Sequence, residues 1–167
     1  LEQGADINKA RDDGATPLFI ASEQGHVEVV RMLLEQGADI NKARDDGATP
    51  LYIASEEGHA EVVSVLLEQG ADIDKARDDG ATPLFIASDQ GHVEVVSVLL
   101  EQGADIDKAK NDGCTPLLIA SQNGHVEVVS VLLERGADID KARDNGATPL
   151  YIASYQGHRE VVSVLLE

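Results

Sequence analysis

DDGATPLFIAS occupies residues 12–22, and nearly the same phrase returns four more times: DDGATPLYIAS at 45–55, DDGATPLFIAS at 78–88, NDGCTPLLIAS at 111–121 and DNGATPLYIAS at 144–154. The threonines in these phrases are Thr16, Thr49, Thr82, Thr115 and Thr148, so every step is 33 residues with no slip. A fixed period of that length overrides the single-globule expectation for 167 residues and predicts a stack of identical supersecondary units. The register gives Leu1–Ala10 as the end of a preceding unit. Four full units follow at 11–43, 44–76, 77–109 and 110–142, and a partial one closes the chain at 143–167. The whole of 1–167 reads as one array. Because it opens and stops inside a unit, it is expected to be a piece of a longer array.

The second unit shows how each is built. Thr49 is a helix cap and Pro50 suits the first helical position, where its missing N–H is not needed. LYIASEE continues that helix, and Gly58 ends it through its freedom to take positive φ. After His59, AEVVSVLLEQ places Val62, Val63, Leu66 and Leu67 on one helical face. Gly70 stops this second helix, and ADIDKARDDGA carries turn residues with Asp79-Gly80 at its tip. The expected unit is helix, turn, helix and an extended finger. Neither helix is long enough to stand alone, so each must bury its stripe against the next unit.

A 33-residue unit with Thr-Pro-Leu, then Ala, Gly-His, Val-Val, Leu-Leu and Gly-Ala-Asp resembles the ankyrin repeat, and the resemblance covers essentially the whole chain. It implies an all-α solenoid of helix-turn-helix units joined by β-hairpin-like fingers. Two departures stand out. The fourth place of the family's T-P-L-H phrase holds Phe19, Tyr52, Phe85, Leu118 and Tyr151, so aromatic packing is expected to replace a histidine hydrogen bond. Ser22, Ser55, Ser88, Ser121 and Ser154 replace a second alanine, and each hydroxyl can bond back one turn.

The resemblance implies a non-catalytic scaffold for a protein partner, bound along the concave side by finger tips and the exposed face of the first helix. In the second unit that means Arg44, Asp45, Asp46, Ala48, Tyr52, Glu56 and Glu57. Identical units present one repeated chemistry, so specificity needs differences between them. Units two and three differ at only four places, Tyr52/Phe85, Glu56/Asp89, Glu57/Gln90 and Ala60/Val93. Units four and five depart further, and the candidate partner-binding residues are Lys110, Asn111, Cys114, Leu118, Gln122, Asn123, Asn145, Tyr151 and Tyr155. Units one to three offer acidic tips beside small residues: Asp12, Asp13, Ala15, Asp45, Asp46, Ala48, Asp78, Asp79 and Ala81. That half should steer a basic segment.

Charge agrees with this. With 31 acidic and 13 basic side chains the chain carries −18, which disfavours nucleic acid as a partner. No apolar run is long enough for membrane insertion. One cysteine, Cys114, and no visible signal peptide point to a reducing compartment such as the cytoplasm. His26, His59, His92, His125 and His158 follow the period, about 10 Å apart, whereas ligands of one zinc ion lie about 2 Å from it. They are expected to bond within the Gly-His turns rather than hold metal. DIDKARDDG, from Asp72, lacks the spacing and the final glutamate of a calcium loop. Cys114 has no partner residues that would make it a nucleophile, and is expected to be a small near-surface residue. No catalytic residue, metal or cofactor is expected.

Two alternatives remain open to the sequence: a structural or elastic spacer, and an engineered scaffold without a natural partner. Near-identical units arise from recent duplication and from consensus design alike. The last helix keeps Val161, Val162, Leu165 and Leu166 in the core register, with only Arg159 as a polar change. Such an uncapped end has two readings: the chain is cut from a longer array, or its open ends stack on another copy, end to end.

Overall fold

The computed structural model describes residues 4–167, so Leu1–Gln3, part of the expected preceding unit, lie outside the described residues. Ten helices are present among them: α1 (Pro17–Glu23), α2 (Val27–Glu35), α3 (Pro50–Glu56), α4 (Ala60–Glu68), α5 (Pro83–Gln90), α6 (Val93–Glu101), α7 (Pro116–Asn123), α8 (Val126–Glu134), α9 (Pro149–Gln156) and α10 (Arg159–Leu165). Odd-numbered helices pack on one another in one layer, even-numbered helices in a second, and each odd helix packs on its own even partner.

Local chemistry sets each boundary. Thr49 Oγ1 accepts the backbone N–H of Tyr52 at 3.1 Å, and the other four threonines cap in the same way. A threonine cap of this kind is worth about 1 kcal/mol. Gly58 and Gly70 both take positive φ, 78° and 88°, and end the two helices of the second unit. Four of the five serines bond back one turn; Ser55 Oγ donates to the Leu51 carbonyl at 2.7 Å.

The main core lies between the two layers. Leu51, Val62, Val63 and Leu66 are buried there, and Val65, which the sequence pattern left out, is buried with them. Leu67, assigned to the stripe, is only half-buried. A second core runs beneath the fingers and joins Ala15, Phe19, Ala48, Tyr52, Ile53, Ala81, Phe85, Ile86, Cys114 and Leu118. This corrects the surface expected from the sequence. Ala48 and Tyr52 are fully covered, and so are Cys114, at 2% exposure, and Leu118. The finger of the next unit lies over the first helix of the one before it, a contact that no single unit's periodicity reveals. Cys114 is therefore a core residue, not a near-surface one, and burial pushes its thiol up to about 11.

Each finger is a turn closed by two backbone bonds, Arg44 N–H to Ala48 O at 2.8 Å and Gly47 N–H to Arg44 O at 2.9 Å in the second unit. No strand forms among the described residues. Adjacent fingers are tied by single β-like bonds: Asp45 N–H to Asp13 O, Asp78 N–H to Asp46 O, Asn111 N–H to Asp79 O and Asp144 N–H to Asp112 O, at 3.0–3.1 Å. A side-chain ladder runs parallel to it, in which Asn8, Asn41, Asp74 and Asp107 accept the backbone N–H of Asp39, Asp72, Asp105 and Asp138. The large apolar side chains left exposed are Val29 and Met32 at one end and Ile139, Tyr151, Tyr155 and Leu166 toward the other.

Candidate functional site

The histidines are part of the stacking. Nε2 of His59, His92, His125 and His158 lies 2.8–2.9 Å from the carbonyl of Glu23, Glu56, Asp89 and Gln122 in the preceding unit. A carbonyl only accepts, so Nε2 is the protonated nitrogen in each. No group of three or more His, Cys, Asp or Glu side chains among the described residues could hold a metal ion.

The fingers and first helices form one face, and its cations are tied up. Arg44 lies 5.0 Å from the ring centre of Phe19, Arg77 5.3 Å from that of Tyr52 and Lys110 5.4 Å from that of Phe85, so each unit's cation covers the aromatic side chain of the unit before it. Arg44 and Arg77 also pair with Asp46 and Asp79 at 2.6 Å, and Lys110 reaches Asp79 at 3.1 Å. The Arg77 guanidinium and then Lys110 hold the Asp79 carboxyl well below the usual carboxylate range, against the effect of its partial burial. At the last joint Leu118 offers no ring and Asn145 no carboxylate. Arg143 turns back to Asp112 of unit four instead.

These pairs set an acid limit on stability. The folded-state pKa of Asp79 is depressed, so its pairing stabilises the fold above the unfolded carboxylate's value, about 4, and that contribution is lost as pH falls further. Asp79→Asn is expected to flatten the fall in melting temperature below that pH relative to the parent chain, measured by circular dichroism. An unchanged slope would show that the pair contributes nothing.

Arg11 pairs with Asp13 in the same way, so the inner carboxylates Asp13, Asp46 and Asp79 are neutralised. The outer ones, Asp12, Asp45 and Asp78, are exposed and form no ion pair among the described residues. Beside them runs a row at the ends of the first helices, Glu23, Glu56, Asp89, Gln122 and Tyr155, which changes from carboxylate to amide to an aromatic ring. Burial pushes the Glu56 carboxyl up, against the opposing charges of Arg77 and Arg44, and it forms no ion pair among the described residues.

Of the candidate residues in units four and five, several serve the stack itself. Lys110 covers Phe85, Asn111 Nδ2 donates to Asp78 O at 3.1 Å, and Asn123 Nδ2 donates to Asp89 Oδ1 at 2.9 Å. The Gln122 carbonyl receives His158. Cys114 and Leu118 are buried. Asn145, Tyr151 and Tyr155 are exposed, Tyr155 at 76%. Sequence reasoning missed the cation-over-ring arrangement, although Phe19, Tyr52 and Phe85 each have a basic residue 25 positions later.

One buried polar side-chain atom among the described residues lacks a hydrogen-bond partner, the Tyr52 hydroxyl. An orphaned buried hydroxyl is destabilising by about 1–3 kcal/mol. Tyr52→Phe, which copies units one and three, is expected to raise stability by about 1 kcal/mol in urea unfolding; a loss would mean that the hydroxyl is satisfied.

The architecture is that of an all-helical repeat solenoid whose surface chemistry repeats along one face. The pattern that defines ankyrin repeats, taken three copies at a time, matches residues 1–77, 43–112, 69–143 and 108–167. The chain belongs to the ankyrin-repeat family, whose members are generally protein–protein interaction modules and typically non-catalytic. Among curated proteins none matches the chain. No helix among the described residues is long and apolar enough to cross a membrane.

Proposed function

We propose that the chain is a non-catalytic scaffold that receives a basic segment of a protein partner on the face made by its fingers and first helices. The supporting observation is the division of labour among the charges. The finger cations Arg44, Arg77 and Lys110 are spent on rings and inner carboxylates, while Asp12, Asp45 and Asp78 stand exposed and form no ion pair among the described residues. Such a row accelerates encounter with a basic segment and sets its orientation. Asn145 and Tyr155, exposed on the less acidic unit five, are the groups proposed to fix specificity, since tyrosine suits interface cores.

The test is the anisotropy of a labelled nonapeptide, Lys-Pro-Pro repeated three times, titrated with the chain. Binding should weaken with salt. The triple change Asp12→Asn, Asp45→Asn and Asp78→Asn should weaken it more than Glu61→Gln, Glu94→Gln and Glu127→Gln, which remove the same charge from the second helices. Equal losses would show a featureless polyanion and sink the proposal.

A further inference from the structure

We infer that Asn145 is a site of spontaneous modification: its side-chain amide is lost to attack by the backbone nitrogen of Gly146, which turns the tip of the fifth finger from neutral to acidic. The inference does not depend on whether a basic partner is received. It starts from a difference between the fingers. Four tips read Asp13-Gly14, Asp46-Gly47, Asp79-Gly80 and Asp112-Gly113, whereas the fifth carries an amide, Asn145-Gly146.

Asparagine is a labile side chain, and the reaction needs a following residue whose nitrogen is unhindered and whose backbone can turn, as glycine's can. The Gly146 nitrogen attacks Asn145 Cγ and closes a cyclic imide. The Cγ–Nδ2 bond breaks, and Nδ2 leaves as ammonia with the proton from the Gly146 amide. Water then opens the ring. Attack at Cγ leaves aspartate at position 145, and attack at the backbone carbonyl leaves isoaspartate, with the chain running through the former side chain. No oxidant, metal or enzyme enters the balance.

The fifth finger gives this reaction room. Asn145 and Gly146 are both exposed. Asn145 Oδ1 accepts the Ala147 N–H at 3.1 Å, and Nδ2 makes no hydrogen bond among the described residues. The Gly146 nitrogen is held by a single bond to the Arg143 carbonyl, at 2.8 Å. A Cβ added at Gly146 would have nothing within 4 Å, whereas one at Gly14, Gly47, Gly80 or Gly113 would lie 2.5 Å from an Oδ1 of the following finger.

The chain's other Asn-Gly pair lacks that room. Asn123 ends α7, and its Nδ2 donates to the Asp89 carbonyl at 3.0 Å and to Asp89 Oδ1 at 2.9 Å. A Cβ at Gly124 would lie 2.8 Å from His158 Nδ1, so the turn is packed by the next unit. The acidic tips are protected differently. Asp13, Asp46, Asp79 and Asp112 pair with arginine as anions, and a carboxylate anion has no group ready to leave.

The aspartate product completes a pattern. With it, residues 144–154 would read the same as 45–55, where Asp46 takes Arg44 Nε at 3.0 Å and Nη2 at 2.6 Å. Arg143, which now reaches across the joint to Asp112, gains the same acceptor within its own finger.

The experiment holds the full chain at mildly alkaline pH, folded in one series and unfolded in guanidinium chloride in another. Samples taken over time are digested with trypsin and weighed. Residues 144–159 carry Asn145, and residues 111–135 carry Asn123. In the folded chain the first peptide should gain the mass of acid over amide about tenfold faster than the second, because Asn123 must first give up two side-chain bonds. Part of the product should co-elute with the peptide from Asn145→Asp, and the rest should separate from it as isoaspartate. In the unfolded chain the two rates should converge. Equal rates in the folded chain, or loss at Asn145 only after unfolding, would overturn the inference.

Discussion

Leu99→Ala is expected to lower stability by about 3 kcal/mol and to broaden the urea transition, because Leu99 is fully buried in α6 with a unit on either side. Removing the side chain leaves a cavity that a close-packed aliphatic interior fills only in part. In a solenoid each unit is stabilised only by its neighbours, so damage at the centre also weakens coupling between the two halves. The same substitution at the equivalent Leu33, half-buried in α2, should have about a third of that effect. Equilibrium unfolding followed by circular dichroism gives both numbers. Equal losses at the two sites would show that the array does not behave as a chain of nearest-neighbour contacts. A single sharp transition for Leu99→Ala would show that the halves stay coupled through the fingers.

How far the sequence could be read follows from where each interaction sits. Interactions within one unit were legible: the Thr49 cap, the positive-φ glycines, and the buried Val62, Val63 and Leu66. Each involves residues close in sequence, and each has a known residue signature. Interactions between units were only partly legible. The histidine bonds could be anticipated as structural, but not that each acceptor lies 36 residues earlier. The aromatic row was misjudged because Tyr52 and Ala48 look solvent-facing until the following finger, with Arg77 at its base, is laid over them. The same covering buries Cys114 and Leu118, whereas Tyr151, which no finger covers among the described residues, is open. For the candidate face, the acidic outer row was visible in the sequence. The pairing that neutralises the inner row was not, because it depends on side chains that meet only in the folded fingers.

Gly91→Ala and Gly103→Ala separate these two kinds of interaction. Both glycines have positive φ, 78° and 90°, so an alanine at either place meets the same left-handed penalty of about 1–2 kcal/mol. Around Gly103 an added Cβ has nothing within 4 Å, and that penalty should be the whole effect. At Gly91 the new methyl would lie 2.7 Å from Nδ1 of His125 and 2.8 Å from its Cε1, so the ring must move. Moving it breaks the bond from Nε2 to the Asp89 carbonyl, now 2.8 Å, which ties unit four to unit three. Gly91→Ala is therefore expected to lower stability by about 2–4 kcal/mol, roughly twice the effect at Gly103. A double-mutant cycle isolates the cause: in a His125→Ala background the Gly91→Ala effect should fall to the Gly103→Ala value. If it stays large without the ring, the glycine is required by the turn alone. The histidine would then not be the element that holds neighbouring units in register.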